Sequence, residues 1–510
     1  MELSLGWFIW TSCYVVTLLG LSAYGIHRYS IIYLFLKNKD RKSEPPKKFD
    51  ALPRVTIQLP IYNEVHVVDR LLDTVSRIEY PADRLQIQVL DDSTDETAEI
   101  AERRVRELSL KGVDIEYIRR PNRIGYKAGA LEYGLISATG EFLFILDADF
   151  VPPVDILEKT IHHFTDEKVG MIQTRWGHIN RSYSLLTRVQ AMFLDGHLLL
   201  EQTARSRSGR FFNFNGTAGM WRRSCIESSG GWQHDTLTED LDLSYRAQLG
   251  GWKFIFLPDV VTPAELPVDM NGFKTQQHRW TKGSIQTCKK ILPYIWKSKL
   301  PFVIKAEATA HLTCNFAYLL LASLCFLLHP SSGGPDYGVT RILIFDLPIF
   351  MASSVSVAIF YMCAQRALYP DDWYKQLPLL PMLLALGIGM SLNNARAVLE
   401  AIFNHASEFT RTPKYAIEAG TQSQTWRSSR YTPLKTVLPF FEIALTVYFS
   451  FFAYYAAITG QFITLPFLIL FQVGFGYVAF CSVASWLPPL QDSAENADDA
   501  DDPPATAAVA

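Results

Sequence analysis

Apolar and polar positions divide this chain into three zones. Trp7 to Ile26 gives twenty residues without a charge, enough for a helix that spans a bilayer. No basic residue precedes it, so it is expected to remain as an anchor. From Pro53 to Leu292 the pattern changes. Short β-rich runs ("RVTIQLP", "LQIQVLD", "DIEYIR", "EFLFILD", "KFIFLP") alternate with helical patterns such as "DETAEIAERRVREL" and "YKAGALEYGLISA". Such alternation predicts a mostly parallel sheet with helices on both faces. After Pro301 apolar runs return at 302–328, 342–364, 377–392, 437–458 and 462–484. The third has only sixteen residues, with two prolines and two glycines, so it reads as a short span, a re-entrant piece or an interfacial helix.

These zones give a membrane helix over 1–36, a basic linker over 37–52 and an α/β domain over 53–292. A helical transmembrane bundle over 293–486 and a disordered tail over 487–510 follow. Charge supports the division. Six Lys/Arg lie between Lys37 and Lys48, which by the positive-inside rule puts the α/β domain in the cytoplasm. The last twenty residues hold six acids, no base and almost no large apolar side chain, so they cannot build a core. The net charge of −3 gives no basic excess, and no nucleic-acid partner is expected. Seven scattered cysteines form no C-x-x-C pair and imply neither zinc nor a disulfide framework. The dinucleotide fingerprint G-x-G-x-x-G is absent.

In open parallel sheets, ligands bind beyond the carboxyl ends of the strands, and three acidic groups fall there. "IQVLDDSTDET" ends a strand with Asp91 and Asp92, and "FLFILDADF" ends another with Asp147 and Asp149. "HDTLTEDLDLSYR" places Glu239 and Asp240 at a helix start capped by Thr238. Aspartates often end strands or cap helices with no further role. Asp147 and Asp149, however, interrupt an apolar segment where unpaired charge is costly. Their spacing lets both approach one hard cation, Mg²⁺ or Mn²⁺, of the kind that neutralises a nucleotide diphosphate. Lys127 lies beside a helix start, as a phosphate contact or as a surface lysine. "FFNFNGTAGMW" suits close approach of backbone to a ligand, or a buried bulged strand. "QQHRWTKG", Gln276 to Gly283, reads either as an interfacial helix or as part of a site.

The order DD (91–92), D-x-D (147–149), T-E-D (238–240) and Q-x-x-R-W (276–280) resembles the signature of processive family 2 glycosyltransferases. Within that family the chain looks most like bacterial cellulose synthase-like and plant glucomannan synthase-like proteins, over about residues 50 to 420. The resemblance implies an α/β GT-A-type nucleotide-sugar transferase domain attached to an α-helical transmembrane bundle. It also implies a metal-dependent, inverting hexosyltransferase that extends a β-linked glucan or mannan and moves it across the membrane. Asp91 and Asp92 would contact the nucleoside, Lys127 the phosphates, and Asp147 and Asp149 the metal–diphosphate. Asp240 would be the general base, with Glu239 beside it. Gln276 and Arg279 would hold the diphosphate; Trp280, with Thr238 and Asn215, would meet the acceptor glycan. An indole face suits the C–H face of a sugar, and the arginine fork suits diphosphate. His278 and Lys282 are expected to face solvent or lipid headgroups.

"SEFTRTPKY" resembles the family's F-x-V-T-x-K gating loop at Phe409, Thr412 and Lys414, with Arg411 where valine is usual. Asn215 stands where cellulose synthases have cysteine. For a loop over 396–435 to reach a cytoplasmic site, residues 377–403 should not cross fully, leaving five transmembrane helices, with six as the alternative count. Expected partners are UDP-glucose first and GDP-mannose second as donors, the growing glycan, membrane lipid and accessory export subunits. Glu307, His311 and Asn315 share one helix face, and Glu442 lies in an apolar run; each reads as an exit path or as an interhelical hydrogen bond. Two competing readings are a non-processive, ceramide glucosyltransferase-like enzyme making a glycolipid, and a transporter or assembly subunit with an inactive domain.

Overall fold

A computed structural model describes residues 5–328, 347–406, 411–418, 436–462 and 464–486. Phe409 and the 487–510 tail lie outside these residues, as do Arg427, Arg430 and Lys435 of the 396–435 loop.

Seven strands form one sheet: β1 Val55–Ile61, β2 Leu85–Asp91, β3 Ile115–Ile118, β4 Phe142–Ile145, β5 Val169–His178, β6 Gly219–Arg222 and β7 Lys253–Ala264. Their order is β3-β2-β1-β4-β6-β5-β7. Every pairing is parallel except those of β6, which runs against both neighbours. The expected α/β domain is therefore present, with one reversed strand inserted in its middle.

Alternation along β1 and β2 explains why both faces are covered. Val55, Ile57, Leu59, Ile87 and Val89 join one apolar core. Thr56, Gln58, Gln86 and Gln88 are also buried and pair with one another across the strands. Thr56 Oγ1 donates to Gln86 Oε1 (2.8 Å) and Gln58 Nε2 to Gln88 Oε1 (3.0 Å), which offsets part of the penalty of burying amides. The register pairs Ile61 with Asp91 and Gln58 with Ile145. It thus brings the ends of β1, β2 and β4, and the acids that follow them, to one edge.

From this domain the chain enters a helix of 28 residues, Met270–Lys297. Asp269 caps it by accepting from the Gly272 nitrogen (2.7 Å). The helix crosses the 292/293 boundary expected between domain and bundle. Likewise the N-terminal helix, Leu5–Asn38, runs past residue 36, and the first part of the 396–435 loop is helical, within Ser391–Ile402.

Three described helices are long and apolar enough to cross a membrane: Phe8–Asn38, Leu438–Ile458 and Leu465–Ala484. Two bent pairs raise the number to five if each is one span. They are Phe302–Thr313 with Phe316–Leu327, bent by 54°, and Trp373–Gly389 with Ser391–Ile402, bent by 40°. The second break falls at the glycine-containing segment singled out as a short or re-entrant piece.

Candidate active site

One cleft of ≈ 180 Å³ lies at the carboxyl edge of the sheet. Asp92, Lys127, Asp147, Asp149, Asn215 and Thr238 all line it. So do Glu239, Asp240, Gln276, Arg279, Trp280 and the two described positions of the expected gating loop, Thr412 and Lys414. Residues spread over most of the chain thus meet in one place.

At the end of β2 the two aspartates have different surroundings. Asp92 is held bidentately by Arg120, Nε to Oδ1 at 2.7 Å and Nη2 to Oδ2 at 2.6 Å. Asp91 does not line the cleft. It is 1% exposed and accepts from the Tyr117 hydroxyl (2.7 Å) and the Ser93 nitrogen (2.9 Å). Its position is that of a buried strand end behind Asp92, which corrects the expected nucleoside contact.

After β4, Asp147 pairs with Lys127 and Asp149 with Lys414. Lys127 Nζ also donates to the Gly216 carbonyl at 2.8 Å, so it is not a surface lysine. Asp147 is partly open to the cleft, with 35% of its side chain exposed, whereas Asp149 is at 4%. Among the described residues no three His, Cys, Asp or Glu are grouped to hold a metal alone. Two carboxylates facing a cleft do fit a hard cation that takes its other oxygens from phosphates and water.

Glu239 and Asp240 open the helix Glu239–Leu249, and Asp240 Oδ1 accepts from the Leu241 nitrogen (2.8 Å). Gly216 fits against this carboxylate. Its φ is +82°, and a Cβ there would lie 3.0 Å from Asp240 Oδ2, so glycine is needed for both reasons. Burial, and then the neighbouring Glu239 carboxyl, raise Asp240 to about 7. Burial raises Glu239 as well, with Lys127 and Arg279 opposing it. Arg279 is drawn below its usual range by burial, while Glu239, Asp147 and Asp240 act to keep it charged. A carboxyl poised near neutrality suits general-base work.

Thr238 does not cap this helix by its side chain. Its hydroxyl meets Thr287 Oγ1 at 3.2 Å instead, on the Met270–Lys297 helix that carries Gln276, Arg279 and Trp280. Lys282 is not headgroup-facing: its side chain is 1% exposed and reaches Glu400 Oε2 at 3.0 Å, where His278 Nε2 also arrives at 3.1 Å. Lys274 pairs with Glu442 at 2.7 Å, both buried. Glu442 therefore makes an interhelical bond, as do Glu307 with Arg205 and His311 with the Tyr245 hydroxyl.

Three contributors, Tyr62, Glu64 and Arg123, escape a motif reading. Glu64, just beyond β1, lines the cleft and pairs with Arg411 at 2.6 Å, which accounts for arginine where valine is usual. Burial raises Glu64 to about 7, against the pull of Arg411 and Lys414. Arg123 lies 3.3 Å over the Tyr62 ring, and both line the cleft. "PIYNE" at a strand end was the only signal for Tyr62 and Glu64.

The mostly parallel sheet with one reversed strand, the edge cleft and the paired carboxylates define a GT-A-type nucleotide-sugar transferase fold. Residues 53–283 match the family described as glycosyltransferase like family 2. Glucomannan 4-beta-mannosyltransferase 1 of Cyamopsis tetragonoloba is 32% identical over 468 residues, 87% of this chain and 84% of that protein. Glucomannan 4-beta-mannosyltransferase 7 of Arabidopsis thaliana is 30% identical over 490 residues, 90% and 84% of the two chains. In fold, the chain resembles a mannosyltransferase from Pyrobaculum calidifontis solved in complex with GDP-Man and Mn²⁺. The TM-score is 0.51 at 20% identity, covering 76% of this chain and 100% of that one. The chain belongs to the family 2 glycosyltransferases, in the cellulose synthase-like group that includes the glucomannan mannosyltransferases.

Proposed function

We propose that this protein is a processive, inverting hexosyltransferase. It extends a β-1,4-linked, mannan-type glycan from a nucleotide-sugar and passes the product across the membrane. The observation that carries the reading is the convergence of all four motifs on one cleft, with Asp240 near Glu239, Lys127 and Arg279. Sequence similarity to mannosyltransferases extends over the membrane-helix region as well. Their mannosyltransferase activity supports GDP-mannose over UDP-glucose as the donor, reversing the order expected from the sequence.

In this reading Asp240 takes the proton of the acceptor hydroxyl as its oxygen attacks the anomeric carbon and the bond to the diphosphate breaks. A carboxyl with a raised pKa accepts that proton more readily than an ordinary aspartate would. Lys127, Gln276 and Arg279 hold the departing diphosphate, and charge-assisted donors are the strong ones for this task. Asp147 and Asp149 would hold Mg²⁺ or Mn²⁺, which when bound neutralises the diphosphate charge. Trp280 offers its face to the acceptor sugar. Thr412 and Lys414 close over the donor side of the cleft, on the segment that supplies Lys414 to Asp149. The basic stretch from Lys37 to Lys48 keeps the catalytic domain in the cytoplasm.

The test offers each labelled nucleotide-sugar to purified protein in lipid nanodiscs with Mg²⁺ or Mn²⁺. A polymer of many sugars, insoluble in chloroform, is expected. A chloroform-soluble product carrying a single sugar would establish the glycolipid alternative instead.

A further inference from the structure

Asn215 is tied to a polar network that the catalytic motifs do not use. Its Oδ1 accepts from Gln202 Nε2 (2.9 Å), Asn213 Nδ2 (2.9 Å) and His197 Nε2 (3.2 Å). The same Gln202 nitrogen donates to the Asn213 carbonyl (3.0 Å), and the same Asn213 nitrogen to the Phe214 carbonyl (3.0 Å). Backbone carbonyls only accept, so these contacts fix both neighbouring amides. They therefore fix which atom of Asn215 is oxygen.

One consequence follows for His197. Facing an oxygen, its Nε2 must donate. Its Nδ1 lies 3.0 Å from Glu201 Oε2, which also accepts from Arg205 Nη1 at 3.0 Å. Burial alone would raise the Glu201 carboxyl; Arg205 and then His197 outweigh it and hold the group well below its usual range. His197 and Glu201 come from a π-type turn, Gly196–Glu201, a rare local geometry frequent at functional sites. Arg205, with 2% of its side chain exposed, fixes the turn to Glu307 (Nε to Oε1, 3.0 Å).

With three donors on its oxygen, Asn215 can bind a ligand only through its NH₂ group. That nitrogen is buried and has no partner among the described residues, and Asn215 lines the cleft. The geometry points to His197 as a positioning residue: by donating from Nε2 it locks the Asn215 carboxamide so that the NH₂ group donates to a hydroxyl of the acceptor sugar. This inference rests on the transferase reading above and adds to it a residue that sets acceptor recognition.

The experiment measures elongation of a labelled, short β-1,4-linked oligomannoside primer by the full chain in nanodiscs, with GDP-mannose and Mn²⁺. Primer and donor KM are determined separately. His197→Ala and Asn215→Asp, the latter keeping the oxygen but losing the NH₂ group, are each expected to raise the primer KM about tenfold and to leave the donor KM unchanged. The double variant should be no worse than either single one, because both act through one amide. His197→Gln, which restores a donor to Asn215, should recover most of the loss. An unchanged primer KM in Asn215→Asp, or additive losses in the double variant, would overturn the inference. A shift in donor KM alone would also overturn it, by assigning the hydroxyl to the donor. Failure of the wild type to elongate the primer with any nucleotide-sugar would overturn the transferase reading itself.

Discussion

Gly283 lies directly against Thr238. A Cβ on this glycine would sit 2.5 Å from Thr238 Cγ2 and 2.9 Å from its backbone nitrogen, so the long helix reaches the T-E-D segment only because position 283 has no side chain. The contact joins the part of the helix bearing Arg279 and Trp280 to the residues that place Asp240.

Gly283→Ala therefore tests that contact. Alanine favours a helix over glycine by about 1 kcal/mol, but overpacking typically costs about 1–3 kcal/mol, and here a backbone atom would have to move. A clear loss of turnover is expected, with at most a small change in thermal stability. Wild-type turnover would show that the contact does not set the site.

Asp240→Asn should lower transfer by roughly 10²–10⁴-fold, the usual contribution of a positioned base. Donor binding, measured by titration calorimetry, should be largely retained because Lys127, Gln276 and Arg279 remain. Wild-type turnover by this variant would remove Asp240 from the base role.

The pH profile should show the same group. Burial and the Glu239 carboxyl raise Asp240 to about 7, and a base works only when deprotonated. Activity should accordingly fall as pH drops through neutrality, rather than through the ordinary carboxylate range near 4. An acidic limb of kcat/KM lying below pH 5 would contradict this.

Lys274 and Glu442 join the site helix to the Leu438–Ile458 membrane helix, and both are buried. Removing one partner leaves an unpaired buried charge, a change that costs about 3–5 kcal/mol. Glu442→Leu should thus lower the thermal midpoint strongly, while Lys274→Met with Glu442→Leu should recover much of it. A double variant as unstable as the single one would show that the pair is not the source of the loss.

Much of the site was legible because chemistry interrupted pattern. Asp92, Asp147 and Asp149 follow apolar strands at the edge where a parallel sheet places its ligands, and Q-x-x-R-W sets polar groups within a helix. The middle of the sheet was harder to read. β6 has only four residues and runs backwards, and β5, "VGMIQTRWGH", mixes polar with apolar positions because its last residues reach toward the cleft. Long-range partners left no local trace. Nothing near Lys282 announces Glu400, nothing near Arg411 announces Glu64, and Gly283 has no signal apart from its neighbour in space. Asp91 looked equivalent to Asp92 in sequence, but only the fold shows that Tyr117 covers one and Arg120 presents the other.

The most direct test of the central claim is the linkage and identity of the polymer. Purified protein in nanodiscs would receive GDP-mannose or UDP-glucose with Mn²⁺, and each product would be digested with an endo-β-1,4-mannanase or an endo-β-1,4-glucanase. The account predicts a long product from GDP-mannose that only the mannanase degrades. A product made solely from UDP-glucose, or one limited to a single added sugar, would contradict it.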